Sequence, residues 1–305
     1  MSKPFLRFED GKISLGGKDL MVQSANLSMS PSLQPERVYG EFDINIVGSK
    51  TEFVNFAANA GIKGKLDISF VITAEFFKQN NTTNNIDRLF EIKDGMREDP
   101  IDGNIVGRYL FDNMYLTNFS FSISPFKVIQ ANASYDIYGT ILKTIDRRFQ
   151  ELSIDPAHGL KSFGEIKASN TNMDTANKKQ FEVSKLDYNI VVGRQVHNHI
   201  KDGEHTSINT TPNGVVPVRV SIENIEAEMN IESNDIIRNL NADGNYQPGT
   251  TNQSLQDSTI EAFLYSLQGE KIAKFACVGK VQSQSISISE GSHARGSISV
   301  KQIIK

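Results

Sequence analysis

The feature that most constrains this chain is strict two-residue alternation, written at length and more than once. From Asn118 to Ser124, Phe119, Phe121 and Ile123 alternate with Asn118, Ser120, Ser122 and Ser124. A strand sends successive side chains to opposite faces, so this segment has one face to bury and one to wet. After a short turn at Pro125-Phe126 the pattern resumes. Ile129, Ala131, Ala133, Tyr135 and Ile137 take one face, and Gln130, Asn132, Ser134 and Asp136 the other. One apolar face and one polar face predict an antiparallel β-hairpin.

The chain ends on the same pattern. Ile286 and Ile288 alternate with Ser285, Ser287 and Ser289; Glu290-Gly291-Ser292 turns the chain; Ala294, Gly296, Ile298 and Val300 then alternate with Arg295, Ser297, Ser299 and Lys301. Residues 120–138 align without a gap on 285–303, and the inward/outward parity survives throughout. The phrase that opens each hairpin, LTNFSFSIS from Leu116 and VQSQSISIS from Val281, has a third version, VQSANLSMS, from Val22. No helix signal precedes that third copy. It reads as the opening hairpin of the first unit, leading after Pro31 to Pro35 into a strand at Val38.

The context also repeats. Ile86, Leu89, Phe90 and Lys93 within Asn85–Asp94, and Ile260, Phe263, Leu264 and Leu267 within Ser254–Gln268, fall at helical spacing, each behind a capping residue. Each half is therefore expected to run strands, one helix, a long strand, a turn and a long strand. Val38, Phe42, Ile44 and Ile46, Ile68, Phe70 and Ile72, and Ile225, Ala227, Met229 and Ile231 supply inward faces of earlier strands, and Phe181 to Val196 a further strand. The segment 147–179 is polar with weak periodicity and reads as a linker or arm with at most one short helix. The expected fold is mainly β: two tandem antiparallel β-sandwich units, 1–146 and 180–305, each with one flanking helix and a long C-terminal hairpin.

Composition narrows the function. The 305 residues carry a formal net charge of −4, so the whole chain shows no basic nucleic-acid footprint. The single cysteine, Cys277, excludes an intrachain disulfide and suits a reducing cytoplasm. The start, MSKPFLRFEDGK, has no apolar core of a signal peptide, and no apolar run is long enough for a membrane-spanning helix.

No motif nominates an enzyme or a cofactor. There is no P-loop, no GxGxxG after a strand, no GxSxG and no HExxH. His197, His199 and His205 lie close together, and His-X-His places two imidazoles on one strand face. With no cysteine nearby and Asp202 and Glu204 in a Gly-containing turn, a polar hairpin end is the better reading. Asn239, Asn241, Asp243 and Gly244 imitate half a calcium loop, but Asn239 and Thr250 stand where Asp and Glu are needed. Cys277, in an apolar strand, reads as a buried inert thiol. Glu226, Glu228 and Glu232 make an acidic strand face, which is a solvated face, a face for a partner or the wall of a channel.

The two long hairpins, 105–142 and 271–304, the helix signals before them and the Ser-rich phrases together resemble the tail-tube and tail-hub proteins of tailed bacteriophages. That resemblance implies a β-sandwich unit whose long hairpin joins those of other units in a continuous barrel around a lumen. Two units per chain favour a trimer with pseudo-sixfold symmetry over a hexamer. It also implies stacked rings, other tail proteins as partners, DNA passing without sequence-specific binding, and no membrane. The place would be the virion tail, assembled in the host cytoplasm. Ser120, Ser122, Ser285, Ser287 and Ser289 are then expected to face the lumen or solvent, and Phe119, Phe121, Ile123, Ile286 and Ile288 the sandwich core. Other readings are a baseplate hub, tube initiator, neck or capsid-decorating protein, or a carbohydrate-binding sandwich, against which the lack of Trp weighs.

Overall fold

A computed structural model describes residues 12–16, 18–29, 64–72, 91–102, 105–125, 127–138, 141–147, 165–170, 179–180, 183–198, 217–233, 257–288 and 294–304. The described residues are mainly β and contain no helix. In chain order the strands are β1 (Lys12–Leu15), β2 (Lys18–Asp19), β3 (Met21–Met29), β4 (Gly64–Val71), β5 (Glu91–Asp102), β6 (Ile105–Ile123), β7 (Gln130–Ile137) and β8 (Ile141–Arg147). They continue as β9 (Glu165–Asn170), β10 (Lys179–Gln180), β11 (Val183–Asn198), β12 (Pro217–Ser233), β13 (Asp257–Tyr265), β14 (Lys271–Ser287) and β15 (Arg295–Ile304). Every pairing among them is antiparallel.

The pairing repeats. One set runs β2-β1-β5-β6-β7-β4-β3, and the other β10-β9-β13-β14-β15-β12-β11, the same order strand for strand. β8 stands outside the repeat and pairs with the first half of β6. The register repeats as well. Ser122 pairs with Gln130, Ser120 with Asn132, Asn118 with Ser134 and Leu116 with Tyr135. Ser287 pairs with Arg295, Ser285 with Ser297, Ser283 with Ser299 and Val281 with Val300, each partner 165 positions later. The β-bulge between Leu116 and Asn118 recurs between Val281 and Ser283. In the same way the bulge between Val22 and Ser24 of β3 recurs between Val183 and Lys185 of β11, 161 positions on.

Alternation puts the apolar faces inward. Leu66, Ile68, Phe70 and Ile72, Phe119, Phe121 and Ile123, and Ile129, Ala131, Ala133, Tyr135 and Ile137 are all buried. Ala227, Met229, Ile231, Ile298 and Val300 do the same in the second set. The two sets share one core, where Phe121 lies 4.6 Å from Phe275 and 5.2 Å from Tyr188 between ring centroids.

Three expectations need correction. The segment expected as a helix over 254–268 contains strand β13, which lies between β14 and β9. Its Ile260, Glu261, Ala262, Phe263 and Leu264 are all buried. A strand covered on both faces loses its alternation, and its apolar residues then match helical spacing by accident. Of the helix expected over 85–94, residues 91–94 belong to strand β5, and 85–90 lie outside the described residues, as do Val38 to Ile46. Within the stretch read as a linker, Glu165–Asn170 is a strand that pairs with the edge of β13.

Candidate functional site

The site with the most structure behind it is a sheet surface together with its two ends. Eight strands follow one another in the order β3-β4-β7-β6-β11-β12-β15-β14. Because registers align, polar residues meet polar residues along two rows of this surface, while a third row, through Asn118 and Glu226, also carries the exposed Val191 and Ile303. One row runs Ser24, Ser69, Asn132, Ser120, Asn189, Glu228 and Lys301. The next runs Gln130, Ser122, Asp187, Asn230, Ser299 and Ser283. Ser120 and Ser122 are half-buried, Ser285 and Ser287 are exposed, and Ser289 lies outside the described residues. Ser285 Oγ and Ser297 Oγ are 2.6 Å apart, which ties the outer hairpin together on this face.

The acidic strand face lies within the same surface and is partly compensated. Glu226 is 2.7 Å from Lys301 Nζ, Glu228 accepts a 2.5 Å hydrogen bond from Ser299 Oγ, and Glu232 pairs in register with Lys185. Lys185 and Lys301 are both held above the usual lysine range, by hydrogen bonds to Asp187 and Glu226 respectively. Lys65 lies 3.9 Å from Asp136, whose carboxyl is pushed up chiefly by burial and pulled back by Lys65. Cations and carboxylates are therefore interleaved on this face.

The junction of the two strand sets is the pairing of β11 with the end of β6. Leu186 opposes Ile123, Tyr188 opposes Phe121 and Ile190 opposes Phe119; between them Asp187 opposes Ser122 and Asn189 opposes Ser120. The six apolar residues of this seam are all buried. On the polar side Asn118 Nδ2 donates to Asn189 Oδ1 at 3.1 Å, and Arg194 Nε donates to the Leu116 carbonyl at 3.2 Å. The Arg194 guanidinium also sits 5.3 Å from the centre of the Tyr115 ring.

The matching positions at the outer hairpin look different. Ile286 and Ile288 were expected in the core with Phe121 and Ile123, yet they are 54% and 76% exposed. They stand on the equivalent face. Among the described residues, however, no strand occupies the side of β14 that β11 takes on β6.

The remaining candidates carry little chemistry. His197 Nε2 is 3.0 Å from Ser221 Oγ, and His199, His205 and the Asn239–Gly244 turn lie outside the described residues. No group of three or more His, Cys, Asp or Glu is placed to hold a metal among the described residues. Cys277 is buried and donates to the Val300 carbonyl at 3.2 Å; burial pushes its thiol up to about 11. No described helix is long and apolar enough to cross a membrane. Sequence reasoning did not find the β11–β6 junction, because pairing between distant strands leaves no local signal. The parity that Leu186, Tyr188 and Ile190 share with Phe119, Phe121 and Ile123 was the one available hint.

No protein-family model and no curated protein matches the chain.

Proposed function

We propose that the chain is a structural virion protein that forms a ring of a phage tail tube and acts as a conduit for DNA. The two seven-strand sets are read as two sandwich units, so that three copies make a pseudo-sixfold ring. The observation that carries this reading is the eight-strand surface, mostly polar and ending on both sides in strands with an unpaired edge among the described residues. A sheet with such edges is driven to pair further, and closure into a barrel removes the edges altogether.

The surface chemistry supports a passage more than a grip. DNA binding draws on clustered Lys and Arg that neutralise phosphates and release counterions. Here Ser and Asn dominate the central strands, and Lys65, Lys185 and Lys301 each have a carboxylate partner within salt-bridge distance. A bore lined by this face would wet readily and hold a polyanion weakly. The role is mechanical and involves no turnover.

Negative-stain imaging of the purified full chain tests the reading. Rings, or tubes of stacked rings, with a stain-filled bore are expected. Uniform single-copy particles at every concentration would contradict it.

A further inference from the structure

We propose that β3 of one copy pairs antiparallel with residues 283–288 of a second copy, with Ala25 opposite Ile288, Leu27 opposite Ile286 and Met29 opposite Gln284. The inference rests on the ring reading above, and adds to it which strands meet and in what register.

The internal repeat, applied once more, leads to this pairing. Inside the chain, β11 docks on the 118–123 edge of β6. β3 is the counterpart of β11: both end a seven-strand set and both carry a bulge at the same place, after Val22 and after Val183. The 283–288 edge of β14 is the counterpart of the 118–123 edge of β6, because their hairpins share register and bulge. One chain thus contains one made seam and the two separated halves of a second. Moving the made seam back by 161 positions on β11 and forward by 165 on β6 gives the register stated. Leu186–Ile123 becomes Ala25–Ile288, Tyr188–Phe121 becomes Leu27–Ile286, and Ile190–Phe119 becomes Met29–Gln284.

The transposed register matches side-chain character at four of its five steps, and only Met29–Gln284 sets an apolar residue against a polar one. Apolar Ala25 and Leu27 meet apolar Ile288 and Ile286, while Asn26 meets Ser287 and Ser28 meets Ser285. Exposure fits as well. Met29, Ile286 and Ile288 are 52%, 54% and 76% exposed, whereas their counterparts Ile190, Phe121 and Ile123 are buried by the internal seam.

Nor are these edges defended. Natural edge strands are blunted by charges, especially Lys, and by Pro. MVQSANLSM in β3 and VQSQSIS at the end of β14 have neither. The bulges they carry do not prevent pairing, since the same bulges lie in β6 and β11 beside the made seam. A contact between two different edges is head-to-tail, so it propagates from copy to copy and closes when the rotation permits.

Cysteine cross-linking of the full chain tests the register. Directly opposed residues of antiparallel strands bring their Cα atoms to about 4.5–5.5 Å, within the range that a disulfide spans. Leu27→Cys with Ile286→Cys, mildly oxidised, should give covalent multimers, and mixed isotope-labelled copies should show the 27–286 link joining different chains. Leu27→Cys with Ile288→Cys, two residues out of register, should cross-link at least about tenfold less. If light scattering shows an oligomer but the in-register pair fails, or the out-of-register pair links better, the seam is wrong and the ring survives. If the protein without cysteine substitutions is a monomer at all concentrations, both fall. Ile286→Lys provides a check free of disulfide chemistry: it should yield a folded monomer, and a variant that still assembles overturns the seam.

Discussion

Thr117 and Gln282 occupy the extra position of two β-bulges 165 residues apart, and each bulge flips the parity of the strand that follows it. Thr117 Oγ1 donates to the Ser134 carbonyl at 3.1 Å, holding the first bulge against β7. Gln23 lies at a third such position in β3. The phrases beginning at Val22, Leu116 and Val281 are therefore one device: an apolar residue, a bulge, then a strand that presents an edge. A bulge adds local twist and re-aims the side chains beyond it. In β6 those side chains are Phe119, Phe121 and Ile123, which the junction with β11 buries.

The aromatic cluster at that junction should dominate stability. Phe121 packs on both Phe275 and Tyr188, which come from β14 and β11. Phe121→Ala should cost about 3–5 kcal/mol, the usual range for emptying a buried aromatic site. Urea unfolding followed by circular dichroism would measure it, and a loss below about 1 kcal/mol would mean the two strand sets do not share this core.

Tyr135 should behave in the opposite way. Its side chain is buried and its hydroxyl finds no hydrogen-bond partner among the described residues; burial also raises its pKa well above the ordinary tyrosine value. Leaving a polar group unsatisfied costs about 1–3 kcal/mol. Tyr135→Phe should therefore raise the unfolding midpoint, by about 1 kcal/mol in free energy. A clear loss of stability would reveal a partner for the hydroxyl.

Gly279 is fixed by close approach. A Cβ there would stand 1.9 Å from the Lys301 carbonyl oxygen, and backbone cannot yield as a flexible side chain can. Gly279→Ala should destabilise by about 1–3 kcal/mol, as overpacking does. Because β14 and β15 carry the outer hairpin, the same variant should lower the yield of assembled particles. Wild-type thermal stability and assembly in Gly279→Ala would refute the close approach.

Cys277 gives a prediction with a pH sign. Burial lifts its folded-state pKa from 9.0 to about 11, so the folded state favours the neutral thiol. Its contribution to stability is fully present below pH 9.0 and is lost as pH rises toward 11. Cys277→Ala should remove that part of the alkaline destabilisation seen in unfolding midpoints. Native protein should also resist a thiol reagent that labels the unfolded chain at once. Fast labelling of the native protein would contradict the burial.

How much of this was legible in the sequence follows from where each strand lies. The hairpins at 114–137 and 280–301 have one wet face, so period two is visible and the expected faces of Phe119, Phe121, Tyr135, Ile298 and Val300 match their burial. The segment 257–265 is covered on both sides, and there the same reasoning produced a helix. Glu165–Asn170 is a short strand at the edge of β13 and too polar to show a pattern. Ile286 and Ile288 share the parity of Phe121 and Ile123 but are exposed rather than in the core, since parity fixes a face and not what packs on it. The polar surface around Ser120 and Ser285 was read strand by strand; its continuity through β11 and β12 depends on long-range register.

The most direct measurement of the central claim is a cryo-electron-microscopy reconstruction of the purified full chain that resolves strands. A closed barrel is expected, with eight strands per copy around an open bore, twenty-four in a ring of three (3 × 8), and the Ser- and Asn-bearing face turned inward. An assembly in which β3 and the 283–288 edge stay solvent-exposed, or a protein that remains a single copy, would contradict it.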